Sequence, residues 1–365
     1  MTDKRLENAR EIISRVDEQI AKLFCERMQA VKQVAEYKKD HGLSVLDKAR
    51  EAEIIHKGSL RVEDPEMREY YVNFIKDTMD ISKSYQERLI SGMKVAYCGT
   101  EGAFAHIATK KMFPSANAVP FGDFVSAYKA VENGECDAAV LPVENSYNGE
   151  VGQVTDLMFS GSLFVNSMTE LAVTQDLLVV PGTRHEDIKE VVIHPQALGQ
   201  CADFIREHGY ESREYTNTAL AAKLVAQNGD KSIAAIASAE AAEIFGLEVL
   251  DRNINSSRNN TTRCAVFSRA ENRHMSDDMG VHTVLLFTVR NEAGALAKAI
   301  DVIGKHGFNM RTLRSRPMKE LLWQYYFYVE AEGNVHTAEG MALMADLDKY
   351  CDRLRAVGTY SKESI

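Results

Sequence analysis

The chain has 365 residues, room for two or three domains, and 45% hydrophobic with 26% charged residues is the balance of a folded globular protein, which excludes wholesale disorder. Its formal charge of -10 argues against nucleic acid as a partner, because that footprint is a basic face. The apolar runs are too short to cross a bilayer and the start, MTDKRLENAR, is too charged for a signal peptide, so the cytoplasm is expected and a membrane is not.

Residues 1–90 read as helices. From Leu6 to Lys39 there is no Gly or Pro, and Leu6, Ala9, Ile13, Val16, Ile20 and Leu23 recur at spacings of three and four. Such a helix would run about 50 Å, longer than a small domain is wide, and its apolar stripe asks for a partner along its length. The simplest partner is a second copy, in a homodimer or larger homo-oligomer. A second helix carries DKAREAEIIHKG and a third runs from Pro65 to about Arg88.

From Lys94 to about residue 270, strands such as KVAYCG, DAAVLPV, DLLVVPG, EVVIHP, SIAAIAS and CAVFSR alternate with helices such as HIATKKMF, SAYKAVENG and ALAAKLVAQNG. That alternation predicts an α/β domain with its working loops at strand ends. A polar linker from Arg269 to Met279 follows. Residues 280–365 then read strand, helix (GALAKAIDVIGKHG), strand (TLRSRP), strand (LWQYYFYVEAEG), helix (EGMALMADLDKYCDRL), strand (AVGTYS), a ferredoxin-like βαββαβ unit. The six cysteines are scattered, with no CxxC pair and no histidine at ligand spacing, so no metal site, disulfide framework or cofactor is expected.

Continuing the stripe of the first helix past Leu23 lands on Arg27, with Lys38 about three turns further on, so two cations occupy a face that should be core. They either snorkel to the surface or meet an anion, since unpaired buried cations are costly. Arg10 lies about 4.7 turns before Arg27 and could reach the same anion only from another chain. Asp47, Arg50 and Glu51 stand at i, i+3 and i+4, a spacing that is mostly a solvated ion-pair face, and Ser82 and Gln86 stand at i and i+4.

In order and spacing, AREIISRVDEQI, Glu26 with Arg27, Lys38, the D-x-x-R-E of Asp47 to Glu51, and Ser82 with Gln86 resemble the helical chorismate mutases. The resemblance implies that Arg27 and the Arg10 of a second chain hold the carboxylates of chorismate. Lys38 and Gln86 would then donate to its breaking ether oxygen, Glu51 would orient the ring hydroxyl, and Asp47, Arg50 and Ser82 would support them. Rearrangement to prephenate needs only such holding and charge stabilisation.

The α/β segment contributes CGTEGAFAH, LPVENSYNGEV, HPQALGQC and NNTTRCAVFSR, whose amides and hydroxyls exceed what plain turns require. Together they resemble the prephenate dehydratases, which implies a cleft between two α/β lobes that takes prephenate. Thr262 would hydrogen-bond or protonate the departing hydroxyl, and Arg263 would hold a carboxylate or anchor its loop. Glu144, Asn145, Ser146 and Gln200 would complete the polar lining. Cys264 stands where that family usually has phenylalanine, a loss of aromatic area worth roughly 1 to 2 kcal/mol in binding.

The order of segments resembles the bifunctional chorismate mutase/prephenate dehydratases, with a tail like an ACT domain. In that family phenylalanine binds the tail at a G-A-L element, kept here as Gly294, Ala295 and Leu296, and at an E-S-R-P element. The second reads Arg314, Ser315, Arg316, Pro317, so a cation replaces a carboxylate and weakened phenylalanine feedback is expected. A rival reading keeps the folds but makes the α/β part an amino-acid-sensing binding module.

Overall fold

The computed structural model describes residues 4–256, 259–273, 280–318 and 323–361. Residues 274–279 of the expected linker and Leu322, expected to begin a strand, lie outside them. Contacts divide the chain after Met93 into two units.

The first unit is helical: α1 (Lys4–Asp40), α2 (Lys48–Ser59) and α3 (Pro65–Ser91). Asp47 caps α2 by accepting from Arg50 N, and Asp64 caps α3 with Pro65 in its first turn, where a missing N–H costs nothing. Both α1 and α2 pack on α3. Among the described residues of α1 only Ala35 is buried, while the stripe of Leu6, Ile13, Val16, Ile20 and Leu23 lies exposed.

The second unit continues with β1 (Lys94–Cys98), α4 (Phe104–Met112), β2 (Asn117–Phe121), α5 (Phe124–Glu132), β3 (Ala138–Asn145), β4 (Gly149–Glu150), α6 (Gly152–Ser160), β5 (Phe164–Ala172) and β6 (Asp176–Val179). Next come β7 (Glu190–Ile193), α7 (Pro195–His208), β8 (Glu211–Glu214), α8 (Thr218–Asn228), β9 (Ile233–Ala237), α9 (Ala239–Phe245), β10 (Glu248–Asp251) and β11 (Thr261–Ser268). They build two lobes. One holds a sheet of order β2-β1-β3-β11-β5 with β4 on β3, and the other a sheet of order β10-β6-β9-β7-β8.

The tail comprises β12 (Val281–Thr288), α10 (Ala295–Lys305), β13 (Asn309–Pro317), β14 (Tyr325–Glu332), α11 (Ala338–Leu347) and β15 (Arg353–Ser361), with an antiparallel sheet of order β13-β14-β12-β15. It keeps the βαββαβ order, but α11 stops at Leu347. Asp348–Tyr350 continue as a single 3-10 turn, and the end of the segment expected to extend that helix joins the sheet, where Asp352 N donates to Thr288 O at 2.9 Å and Arg353 pairs with Thr288.

The tail is not a separate body. Strand side chains alternate between faces, and Leu285, Phe287 and Val329 pack under α10 and α11 in one cluster. On the other face Val284, Leu286, Tyr326, Tyr328, Val357 and Tyr360 share a core with Val165, Met168 and Phe267 of the first lobe. Strand β15 lies so close to β5 that a Cβ on Gly358 would overlap the Val165 carbonyl, a position only glycine fills. Among the described residues no helix is long and apolar enough to cross a membrane.

Candidate active sites

Two crossings join the lobes, one from β5 to β6 and one back from β10 to β11. They run side by side: Ile254 N donates to Gln175 O at 2.8 Å, Gln175 N to Asn255 Oδ1 at 3.1 Å, and Val173 N to Asn260 O at 2.8 Å. Against these crossings lies a cavity of about 480 Å³. Helices α4, α6, α7 and α8 all begin at its wall, since their N-cap residues Ala103, Val151, His194 and Asn217 line it. Ala103 and Val151 bring no side-chain cap, which leaves first-turn amides of α4 and α6 for a ligand. Among the described lining residues there is no arginine or lysine, so an anion here would be held by amides and helix dipoles.

A buried chain of amides crosses the cavity wall from one lobe to the other. Gln200 of α7 accepts at Oε1 from Asn260 Nδ2 at 3.0 Å, and Asn260 Oδ1 accepts from Asn145 Nδ2 at 2.7 Å. Asn145 Nδ2 also donates to Thr262 Oγ1 at 3.0 Å. The Asn145 oxygen is committed to Tyr147 N at 3.0 Å and Asn148 N at 2.9 Å, so its amide cannot turn over. Because the Thr262 oxygen receives a hydrogen bond from Asn145, its own proton is free to donate elsewhere. Cys264, 2% exposed, lies beside Thr262 in the lining, and burial pushes its thiol up to about 12, so it is not a thiolate.

In the helical unit Arg27 donates from Nη1 to Ser82 Oγ and to Thr78 O, the latter at 3.4 Å, and burial lowers its pKa. Ser82 and Gln86 are buried one turn apart on α3, and Gln86 Oε1 meets no donor among the described residues. Lys38 reaches back to Val45 O at 2.6 Å, and Glu51 pairs with Lys83 at 2.9 Å.

Family models match at both places: "Chorismate mutase type II" over residues 9–87 and "Prephenate dehydratase" over residues 95–272. A bifunctional chorismate mutase/prephenate dehydratase of Aquifex aeolicus (strain VF5) is 29% identical over 98% of this chain and 98% of its own length. The chain belongs to the bifunctional chorismate mutase/prephenate dehydratase family. An arogenate dehydratase/prephenate dehydratase of Arabidopsis thaliana is 32% identical over 75% of this chain and 74% of its own. The prephenate dehydratase of Arthrobacter aurescens, solved in complex with L-Phe, superposes with a TM-score of 0.67 at 26% identity, over 74% of this chain and 90% of that one. This bifunctional enzyme thus rearranges chorismate to prephenate and dehydrates prephenate in phenylalanine biosynthesis. The catalytic reading holds over that of a binding module.

Within the dehydratase part, Asn145, Gln200 and Thr262 line the cavity. Glu144, Ser146 and Arg263 do not line it. Strand β11 begins at Thr261, earlier than the apolar AVF suggested, and its alternation puts Thr262 and Cys264 on the cavity side and Arg263 on the other. There Arg263 donates to both carboxylate oxygens of Glu330 in β14, at 3.0 and 2.8 Å, and stands 3.4 Å from Glu144, which faces it across β3 and β11. Burial works against the Arg263 charge, but Glu330 outweighs it and raises the guanidinium's pKa. Ser146 ties the β11 entrance, donating to Asn259 O at 2.8 Å and accepting from Thr261 N at 2.9 Å.

In the mutase part, Asp47 is spent on capping α2, Arg50 pairs with Glu53 at 2.6 Å on the solvent side, and Arg10 is exposed. In the tail, Gly294 holds a left-handed φ of 80° at the start of α10, next to Ala295 and Leu296. Arg314 and Arg316 turn toward the dehydratase part, pairing with Glu144 and with Asp156, while Ser315 and Pro317 alternate to the exposed side. Sequence reasoning singled out the stretches holding Asn260 and His194 but gave neither residue a role, and it passed over Gln175, which lines the cavity with them. The surplus of amides in NNTTR was the signal for Asn260.

Proposed function

We propose that the cavity between the lobes is where prephenate is dehydrated, with Thr262 as the donor to the departing ring hydroxyl. The carrying observation is the 3.0 Å contact from Asn145 Nδ2 to Thr262 Oγ1, which turns the threonine proton away from the protein. First-turn amides of α4 and α6 would hold the two carboxylates. As the C–CO2 bond breaks, its electron pair enters the ring, the C–OH bond breaks with the hydroxyl leaving as water, and aromatisation drives the loss. The threonine hydroxyl is a weak acid, so it positions and relays a solvent proton without becoming an anion itself. Cys264 widens this end of the cavity without joining the chemistry. Thr262→Val should cut dehydratase turnover by ~10²-fold, the scale of one lost oxyanion-type donor, while Thr262→Ser keeps most of it. Near-parental turnover in Thr262→Val would remove the assignment.

The mutase site is assigned to the α1–α3 groove: Arg27 for a carboxylate, Lys38 and Gln86 for the ether oxygen, Glu51 for the ring hydroxyl, with Ser82 seating Arg27. The exposed stripe of α1 supports a second copy packed along it, so that the assembly is a homodimer or larger and Arg10 enters from the other chain. The tail is read as an ACT domain with phenylalanine as effector at Gly294, Ala295 and Leu296, supported by the phenylalanine complex of the Arthrobacter enzyme.

A further inference from the structure

The dehydratase cavity depends on the β3–β4 hairpin, and that hairpin is electrostatically strained unless something crosses to it. Glu144 and Glu150 pair directly across the two strands, as do Asn145 and Gly149. Like charges directly opposite each other push strands apart. Arg263 of β11 stands 3.4 Å from Glu144 but is engaged by Glu330 at 2.8 Å, and two further cations come from the tail. Arg314 of β13 pairs with Glu144, its guanidinium lying 5.8 Å from the Tyr328 ring centroid. Two residues on and therefore on the same face, Arg316 reaches Asp156 at 2.8 Å and Glu150 at 3.5 Å, and it donates to the Tyr326 hydroxyl at 3.1 Å. A Cβ on Gly152, at the start of α6, would overlap the Arg316 guanidinium. A carboxylate at position 314 would face Glu144 instead of neutralising it.

We propose that Arg314 and Arg316 are positioning residues of the dehydratase: they close the hairpin so that Asn145, adjoining Glu144, holds Thr262 in donating orientation. The tail is then a working part of the catalytic unit, and any shift of β13 is transmitted to Asn145. This rests on the reading of the cavity as the dehydratase site. Neither arginine lines the cavity, so the effect falls on kcat and leaves KM nearly unchanged.

The test is a charge exchange in the full chain. Arg314→Glu and Glu144→Arg should each lower dehydratase kcat by about tenfold or more, and the double exchange should recover at least about fivefold over either alone. Mutase turnover, read in the same samples, stays at the parental value. Gly152→Ala displaces Arg316 without altering any charge and should lower kcat severalfold; it carries the test if the charge variants do not fold. Parental kcat in Arg314→Glu or in Gly152→Ala, or a double exchange no better than the single variants, overturns the proposal. Thr262→Val, run alongside, separates the cases: if it too is fully active the cavity assignment has failed, and if it alone is inactive the arginine assignment has.

Discussion

Asn260→Ala is the most direct probe of how the two lobes share one site. Asn260 is 4% exposed and among the described residues makes two side-chain hydrogen bonds, giving one to Gln200 in the second lobe at 3.0 Å and accepting one from Asn145 in the first at 2.7 Å. Truncation leaves the Gln200 oxygen, itself in a buried residue, without that donor, and an unmade buried hydrogen bond costs about 1–3 kcal/mol. Asn145 loses less, because its Nδ2 keeps Thr262 Oγ1 at 3.0 Å and Thr261 O at 3.3 Å. The expected stability loss is therefore about 2 kcal/mol. With Asn145 anchored on one side only, dehydratase kcat should fall by about 10- to 100-fold, equivalent to ~1.4 to 2.7 kcal/mol of barrier. Phenylpyruvate formation at saturating prephenate measures this, with mutase turnover of the same sample as internal control. Asn260→Asp keeps the acceptor for Asn145, and the Gln200 amide can flip to donate, so it should retain more activity than the alanine variant. A kcat for Asn260→Ala within about twofold of the parent, in a protein unfolding at a lowered temperature, would refute the link between the amide chain and turnover.

Two further outcomes are expected. Arg10→Ala and Lys38→Ala chains, each reduced at least ~10²-fold in mutase turnover, should partly recover it when mixed under subunit exchange, because a mixed dimer forms one intact site; no recovery after verified exchange would place Arg10 outside its neighbour's pocket. Burial raises the Cys264 thiol to about 12, so alkylation at about pH 8 should label exposed Cys25 and spare Cys264. The sign follows from linkage: stability from the protonated Cys264 is full below the unfolded thiol's pKa of ~8.5 and is lost as pH rises toward the folded value. Labelling of Cys264 in the native protein at that pH would contradict the packing beside Thr262.

Local pattern was enough for much of this protein. The three/four spacing from Leu6 to Leu23 determined a long helix with one apolar side, and strand-helix alternation determined the α/β lobes, because both periodicities are properties of the backbone itself. Asn145, Gln200 and Thr262 stood out only through the family resemblance of their polar stretches, since each stretch alone reads as a capped turn, and the fold sets all three on one cavity. Arg263 shows the limit. The sequence placed it one residue from Thr262, but a strand sends neighbours to opposite faces, and only the packed tail revealed Glu330 waiting on the far side. Arg314 was equally opaque: its charge looked like a change in a ligand site until the fold set it against Glu144. The periodicity of a segment says which of its residues share a face, whereas the partner of that face comes from a segment far along the chain, and a charge has no meaning for stability or catalysis until that partner is known.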